Sequence, residues 1–284
     1  MKRHGFIAAV ALVGLLTSGC WPLVKPSGTA PLRYRDAIFS GVTKTADVTY
    51  GSAQNIAGQT VTLKLDVYQP TGGTKTGRPA IVWVHGGSFS SGTKTSPELV
   101  DEATDLGKKG YVSFSISYRL EPGGCSAGAP TSNCVVAIQH AMEDAQNAVR
   151  FVKANAATYG IDANRVAIGG TSAGAITAMN VAYKTGETPD AGVRAGVSLS
   201  GANLLGAYDV NDAPTLLFHG TADPLVPYQW AVNTKTGAEG VKNYAWLTTW
   251  QNEGHVPYVE HRQQIIDQTT NFLYHYLDAA SAPQ

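Results

Sequence analysis

The apolar positions of this chain fall into two rhythms. Val61, Leu63, Leu65 and Val67 alternate with Thr62, Lys64 and Asp66, the period-two pattern of a half-buried strand near a sheet edge. Ala80-Ile81-Val82-Trp83-Val84 is a short unbroken apolar run, as a strand covered on both faces requires. Tyr111 to Tyr118, Arg165 to Ile168, Ala195 to Leu199, Thr215 to Phe218 and Tyr244 to Thr249 are further strands by the same reasoning. Between them the period lengthens. Val135, Ile138, Met142, Ala145, Val149 and Val152 recur at helical steps, and Ala173 to Tyr183 is apolar nearly all round. Ile265, Ile266, Thr269, Phe272, Leu273 and Tyr276 repeat the amphipathic pattern near the C-terminus. Strands separated by helices of this length predict right-handed βαβ units. The fold class is therefore α/β, a mostly parallel central sheet with helices on both faces. Such sheets bind ligands outside the carboxyl ends of their strands, so chemistry is to be sought just after each strand.

The first twenty residues follow neither rhythm. Lys2 and Arg3 precede an apolar run from Phe6 to Leu16, too short to span a bilayer and suited to a signal peptide. Thr17-Ser18-Gly19-Cys20 resembles a bacterial lipoprotein signal, in which processing leaves Cys20 as a lipidated N-terminus. Ordinary secretion with cleavage elsewhere, near Ala30, is the alternative, because Thr17 stands where Leu is commonest. Residues 21–45 carry scattered Pro, Gly, Ser and Thr and read as a flexible tether to a domain of residues 46–284. Two cysteines remain, Cys125 and Cys134, inside a Gly/Ser/Pro-rich stretch. A disulfide there suits an exported protein and would restrain the unfolded chain by roughly 2.5–3 kcal/mol. A metal site is the weaker reading, since no second Cys pair or suitably spaced His accompanies them. With 21 basic against 21 acidic residues, the chain offers no nucleic-acid surface and no polybasic membrane patch. A lipid on Cys20 is the one membrane contact foreseen.

Four strand ends carry candidate chemistry. Gly170-Thr171-Ser172-Ala173-Gly174 lies between a strand and a strongly apolar helix. Glycines two before and two after let a sharp turn close and expose the serine hydroxyl. An inert glycine-rich turn would use the same letters, so placement carries the argument. His85-Gly86-Gly87-Ser88-Phe89 follows the Ile81–Val84 strand directly. Phe218-His219-Gly220-Thr221-Ala222-Asp223-Pro224 offers a carboxylate after another strand, although an Asx turn before Pro224 would also explain Asp223. Asp209 and Asp212 precede that strand and are weaker candidates. Asn252-Glu253-Gly254-His255 places a loop histidine after the last strand. In order, Ser172, Asp223 and His255 supply a nucleophile, an orienting acid and a base. His85 and His219 are expected to brace their loops, and His261 and His275 to lie on the surface.

The elbow, the Ser…Asp…His order and the HGG loop together resemble the α/β-hydrolase superfamily. More closely they resemble the bacterial group of HGGG-loop carboxylesterases and small feruloyl or acetylxylan esterases. The resemblance covers roughly residues 45 to 278 and includes Leu65-Asp66-Val67-Tyr68-Gln69-Pro70, Ser117-Tyr118-Arg119-Leu120 and Asp144. It implies an α/β-hydrolase fold and a serine carboxylesterase needing neither metal nor organic cofactor. Its oxyanion hole would be built from the backbone N–H groups of Gly87, Ser88 and Ala173, although Ser88 stands where the group has a third glycine. Asp144 is expected to pack and hydrogen-bond rather than react. The substrate would be a small-molecule or polysaccharide-linked ester, with Phe89, Tyr228, Trp230 and Tyr258 as pocket or packing residues and the Cys125–Cys134 insertion at the rim. A prolyl-peptidase-like or formamidase amide hydrolase would use the same machinery. A non-catalytic binding protein on this fold would not need all three residues.

Overall fold

The computed structural model describes residues 23–125 and 130–284. The signal peptide and Cys20 lie outside the described residues. Eight strands form one sheet in the order β1-β2-β4-β3-β5-β6-β7-β8. At one edge β1 (Val42–Gln54) pairs antiparallel with β2 (Thr60–Pro70), which pairs antiparallel with β4 (Val112–Ser117). All remaining pairings are parallel and run through β3 (Arg78–Val84), β5 (Ile161–Thr171), β6 (Gly196–Leu199), β7 (Thr215–Gly220) and β8 (Ala245–Trp250).

The core lies in two layers, and β3 shows why its run is unbroken. Val82 and Val84 pack into the layer covered by α2 (Ser132–Ala154), α4 (Ala173–Ala182) and α5 (Tyr228–Gly240). Ile81 and Trp83 pack into the opposite layer, under α1 (Pro97–Lys109) and α6 (Tyr258–Tyr276). Every residue of α4 is buried, as its all-round apolar surface predicts. A single turn, α3 (Ala156–Tyr159), leads into β5. The α/β class, the mostly parallel sheet and the two helical layers agree with the sequence pattern.

Three elements escape that pattern. β1 is an edge strand with register shifts between Thr45 and Val48 and between Thr49 and Gly51, so its alternation breaks down. The α1 helix does bury a stripe of Leu99, Ala103 and Leu106, but the stripe is short and shared with the buried Glu102 and Lys109, and α5 buries only Ala231, Thr234 and Ala238. The expectation of a flexible tether over 21–45 needs correction, because much of the described part is docked. The main-chain N–H of Tyr34 bonds the Lys109 carbonyl at 2.7 Å, and those of Ile38 and Phe39 both bond the Lys108 carbonyl at 2.9 Å. These donors satisfy carbonyls at the end of α1 that have no intrahelical partner. Tyr34 is fully buried, edge-on to Tyr111, with its hydroxyl donating to the Pro283 carbonyl at 3.0 Å. Val42 already belongs to the sheet.

Candidate active site

Strand β5 ends at Thr171 and α4 begins at Ala173, so Ser172 alone makes the turn. Its backbone sits at φ 53 and ψ −119, a conformation that costs a non-glycine residue on the order of 1–3 kcal/mol. Close packing enforces it. A Cβ on Gly170 would run into Gly174 and the Val84 carbonyl, and one on Gly174 would overlap the same carbonyl. The Ser172 N–H is taken by the Leu199 carbonyl at 2.8 Å, which ties the turn to β6. The hydroxyl is left at the carboxyl edge of the sheet.

Two further loops meet it there. His255 Nε2 lies 2.7 Å from Ser172 Oγ, and His255 Nδ1 lies 2.8 Å from Asp223 Oδ2. An ionised carboxylate only accepts, so Nδ1 carries the proton and Nε2 accepts from the serine hydroxyl. The two loops are bonded to each other. The Ala222 N–H reaches the Glu253 carbonyl at 2.9 Å, and the Asn252 N–H reaches Thr221 Oγ1 at 2.9 Å. Gly220 presses against the Glu253 and Gly254 carbonyls and has no room for a side chain. From the β6 end, Ser200 Oγ accepts the Val256 N–H at 3.0 Å and holds the residue after His255.

Asp223 makes an Asx turn and also orients the histidine. Its Oδ1 accepts the N–H groups of Leu225 and Val226, both at 2.9 Å, while Oδ2 faces His255. His219, which the sequence marks only as a loop brace, does more. Its Nε2 lies 2.9 Å from the Val226 carbonyl and 3.2 Å from Asp223 Oδ2. Burial works against the Asp223 charge, but these donors outweigh it and hold the carboxyl far below the usual range. Asp223 therefore stays ionised across any working pH. The rival Asp212 is occupied elsewhere, accepting the Asp209 and Gly186 N–H groups.

The HGG loop packs directly on the turn. A Cβ on Gly86 would stand 3.1 Å from Ser172 Cβ, so glycine lets the loop approach. Gly87, Ser88 and Phe89 follow in left-handed conformations, with φ of 111, 53 and 61. Among the described residues the N–H groups of Gly87 and Ser88 enter no backbone hydrogen bond. The N–H of Ala173, first in α4, has no acceptor within its helix. His85 braces the loop: its ring stacks on Tyr118 at 4.4 Å, and Nδ1 lies 2.7 Å from the Gly86 carbonyl. Burial lowers its pKa to about 4, so it stays neutral.

Beside Ser172 opens an apolar recess of about 50 Å³, lined by Phe89, Ile138, Ile176, Leu204 and Trp230 among others. Cys125 and Cys134 are disulfide-bonded and form part of its wall. Of the four candidate pocket aromatics, Phe89 and Trp230 line the recess. The Tyr228 hydroxyl pairs with Thr249, and the Tyr258 hydroxyl donates to Asp101. Asp144 is fully buried and accepts from the Arg119 main chain and guanidinium, a structural role. His261 is not simply a surface residue, since its ring stacks flat on Trp250 at 4.1 Å. Among the described residues no cluster of three or more His, Cys, Asp or Glu is placed to hold a metal ion, and no helix is long and apolar enough to cross a membrane.

Two family models match overlapping parts of the chain, BD-FAE over residues 65–193 and phospholipase/carboxylesterase over residues 134–274. Among curated relatives, phenmedipham hydrolase of Pseudarthrobacter oxydans is 36% identical over 117 residues, and fumonisin B1 esterase of Sphingopyxis macrogoltabida is 32% identical over 119. Each alignment covers 40% of this chain and 21% of the relative, so the chain matches only about a fifth of those proteins' length. Among solved structures, Thermogutta terrifontis esterase 2 phosphonylated by sarin superposes with a TM-score of 0.67 at 19% identity. That superposition covers 89% of this chain and all of the other. A truncated carbohydrate esterase from gut microbiota superposes at 0.62 and 20% identity, over 85% of this chain and 98% of the other.

Proposed function

We propose that this chain, a member of the α/β-hydrolase superfamily, is a serine carboxylesterase working through an acyl-enzyme on Ser172. The contact chain Ser172 Oγ–His255 Nε2, His255 Nδ1–Asp223 Oδ2 carries the reading. His255 removes the serine proton as Oγ attacks the ester carbonyl, and the ionised Asp223 holds the imidazole tautomer and offsets its developing charge. The N–H groups of Gly87, Ser88 and Ala173 stabilise the tetrahedral oxyanion, each donor worth about 2.7–4 kcal/mol of barrier. His255 then hands its proton to the leaving alcohol, and water repeats the sequence to release the acid. The residues named in this chemistry need no cofactor.

The recess beside Ser172 bears on substrate class. Among the described residues no charged side chain lines it, and at about 50 Å³ it suits an acyl group of a few carbons. The favoured substrates are esters of short, neutral acids, with the alcohol side facing solvent and free to be a small molecule or a polysaccharide. The relatives named as esterases support ester over amide chemistry. The test is turnover of p-nitrophenyl esters of rising chain length, methyl ferulate, acetylated xylan and an aminoacyl anilide by wild type and Ser172→Ala. Turnover concentrated on acetyl to butyryl esters and absent from Ser172→Ala is expected. Preference for the anilide, or activity surviving in Ser172→Ala, would overturn the reading.

We also propose export with a lipid on Cys20. The Cys125–Cys134 bridge supports an oxidising compartment. Labelled palmitate that enters the wild type but not Cys20→Ala in a lipidating host is the expected result. Equal labelling of both, or of neither, would remove the anchor.

A further inference from the structure

The Gly87–Phe89 loop is strained; its Gly87 carbonyl is held locally by the Ser90 and Ser91 N–H groups at 3.0 Å, but its next two carbonyls are held from another segment. Three consecutive left-handed residues, two of them not glycine, do not hold that shape unaided. The stretch Arg119–Cys125, which follows β4, lies along them like a strap. The Glu121 N–H bonds the Phe89 carbonyl and the Cys125 N–H bonds the Ser88 carbonyl, both at 2.8 Å. Gly124 touches the Ser88 carbonyl so closely that no Cβ could fit there. The strap therefore grips the carbonyls of two successive loop peptides. These carbonyls belong to the two peptides directly after the Ser88 N–H, so pinning them anchors the C-terminal side of the stretch that presents the Gly87 and Ser88 N–H groups. The Gly87 carbonyl, in the plane of the Ser88 N–H, is held by the Ser90 and Ser91 N–H groups at 3.0 Å.

The strap is in turn fastened to α2 at three places. Arg119 is bonded to Asp144 and Glu143, with its Nε 3.0 Å from Asp144 Oδ2. The Glu121 carboxylate is almost wholly buried. Its Oε1 lies 2.6 Å from His140 Nδ1, and its Oε2 accepts the Ile56 N–H at 2.8 Å. Cys125 is covalently joined to Cys134 in the first turn of the helix. No part of the mechanism proposed above uses Glu121, His140 or the disulfide.

We infer that the strap is a positioning device for the oxyanion loop, with Glu121 and the Cys125–Cys134 bridge as its positioning residues. The inference rests on the esterase reading and deepens it. The bridge borders the acyl recess, but its larger effect runs through the Cys125 N–H to the Ser88 carbonyl. Loosening the strap lets the loop relax from its strained shape, which misplaces oxyanion donors while the apolar contacts that bind ground-state substrate persist. Transition-state stabilisation falls more than substrate binding.

The experiment compares wild type, Cys125→Ser/Cys134→Ser, Glu121→Gln, and wild type reduced by a water-soluble phosphine. Each is measured for kcat and KM on p-nitrophenyl butyrate and for Ki of an alkyl boronic acid that forms a tetrahedral adduct with Ser172. Reduction of the folded protein covers the case in which the double variant fails to fold. The expected result is a fall in kcat of about 10- to 100-fold, the range for a misplaced rather than deleted donor. KM should move less than about threefold, and the boronate Ki should rise in proportion to the loss in kcat/KM. Unchanged kcat in folded, bridge-free protein overturns the inference, as does a rise in KM alone, which would make the bridge only a pocket wall. Wild-type protein that neither turns over the ester nor binds the boronate would instead sink the esterase reading itself.

Discussion

Replacing Glu102 with Gln should stabilise the protein increasingly as the pH rises. Glu102 lies on α1 beneath α6 and is 1% exposed. Neither carboxylate oxygen has a hydrogen-bond partner among the described residues. Burial, with Asp105 adding negative charge and Lys109 opposing it, pushes its pKa from 4.5 up to about 8. The unfolded chain gives up this proton near 4.5, whereas the folded protein keeps it to about 8. Between those values the folded state binds more protons, so stability is lost as pH rises. At 1.36 kcal/mol per unit, the loss reaches about 3 kcal/mol at neutral pH and about 4–5 kcal/mol above pH ~9. Glu102→Gln removes the titration but leaves a buried amide to satisfy, a pH-independent cost of about 1–3 kcal/mol. The variant should therefore be neutral or slightly weaker near pH ~5 and clearly stronger near pH ~9. Urea unfolding of both proteins across that range, with two-state behaviour checked by two probes, measures the difference directly. A difference that stays flat within about 0.5 kcal/mol would refute the argument and mean that Glu102 has a partner that keeps it ionised.

Gly174→Ala should abolish folding rather than activity alone, because its Cβ would occupy the space of the Val84 carbonyl; soluble yield and far-UV circular dichroism check this. His219→Leu removes the second side-chain donor to Asp223, a charge-assisted bond worth about 1.5–3 kcal/mol. Steady-state kinetics should show kcat down about tenfold with KM nearly unchanged. Trp230→Ala should enlarge the recess and move the best p-nitrophenyl ester to a longer acyl chain, whereas an unshifted profile would place the acyl group elsewhere.

Strand and helix periodicity made most of the sheet legible, since each central strand is buried on both faces and each long helix packs along one stripe. What escaped has a physical cause in each case. β1 bends through two register shifts at an edge where only Tyr50 is buried, so its side chains keep no simple alternation. Residues 32–39 look like a linker because, apart from the single buried ring of Tyr34, their value to the fold lies in main-chain donors offered to the end of α1. Composition does not reveal main-chain donors.

At the site the division is similar but sharper. That Ser172, Asp223 and His255 would meet was legible because each follows its own strand and parallel strands end along one edge, so order in sequence becomes adjacency in space. The same reasoning sets an Asx turn against an orienting acid at Asp223, yet the two carboxylate oxygens divide those tasks between them. Residues that hold this machinery carry no such signal. His219 reaches Asp223 across a single turn, Ser200 reaches the His255 loop from β6, and Glu121 finds His140 across the gap between a loop and a helix. Their roles depend on side-chain direction and on distances of a few tenths of an ångström, which loop sequences do not encode in any period. A strand end predicts where chemistry can occur, and the hydrogen bonds behind it decide how well the reacting groups are aimed.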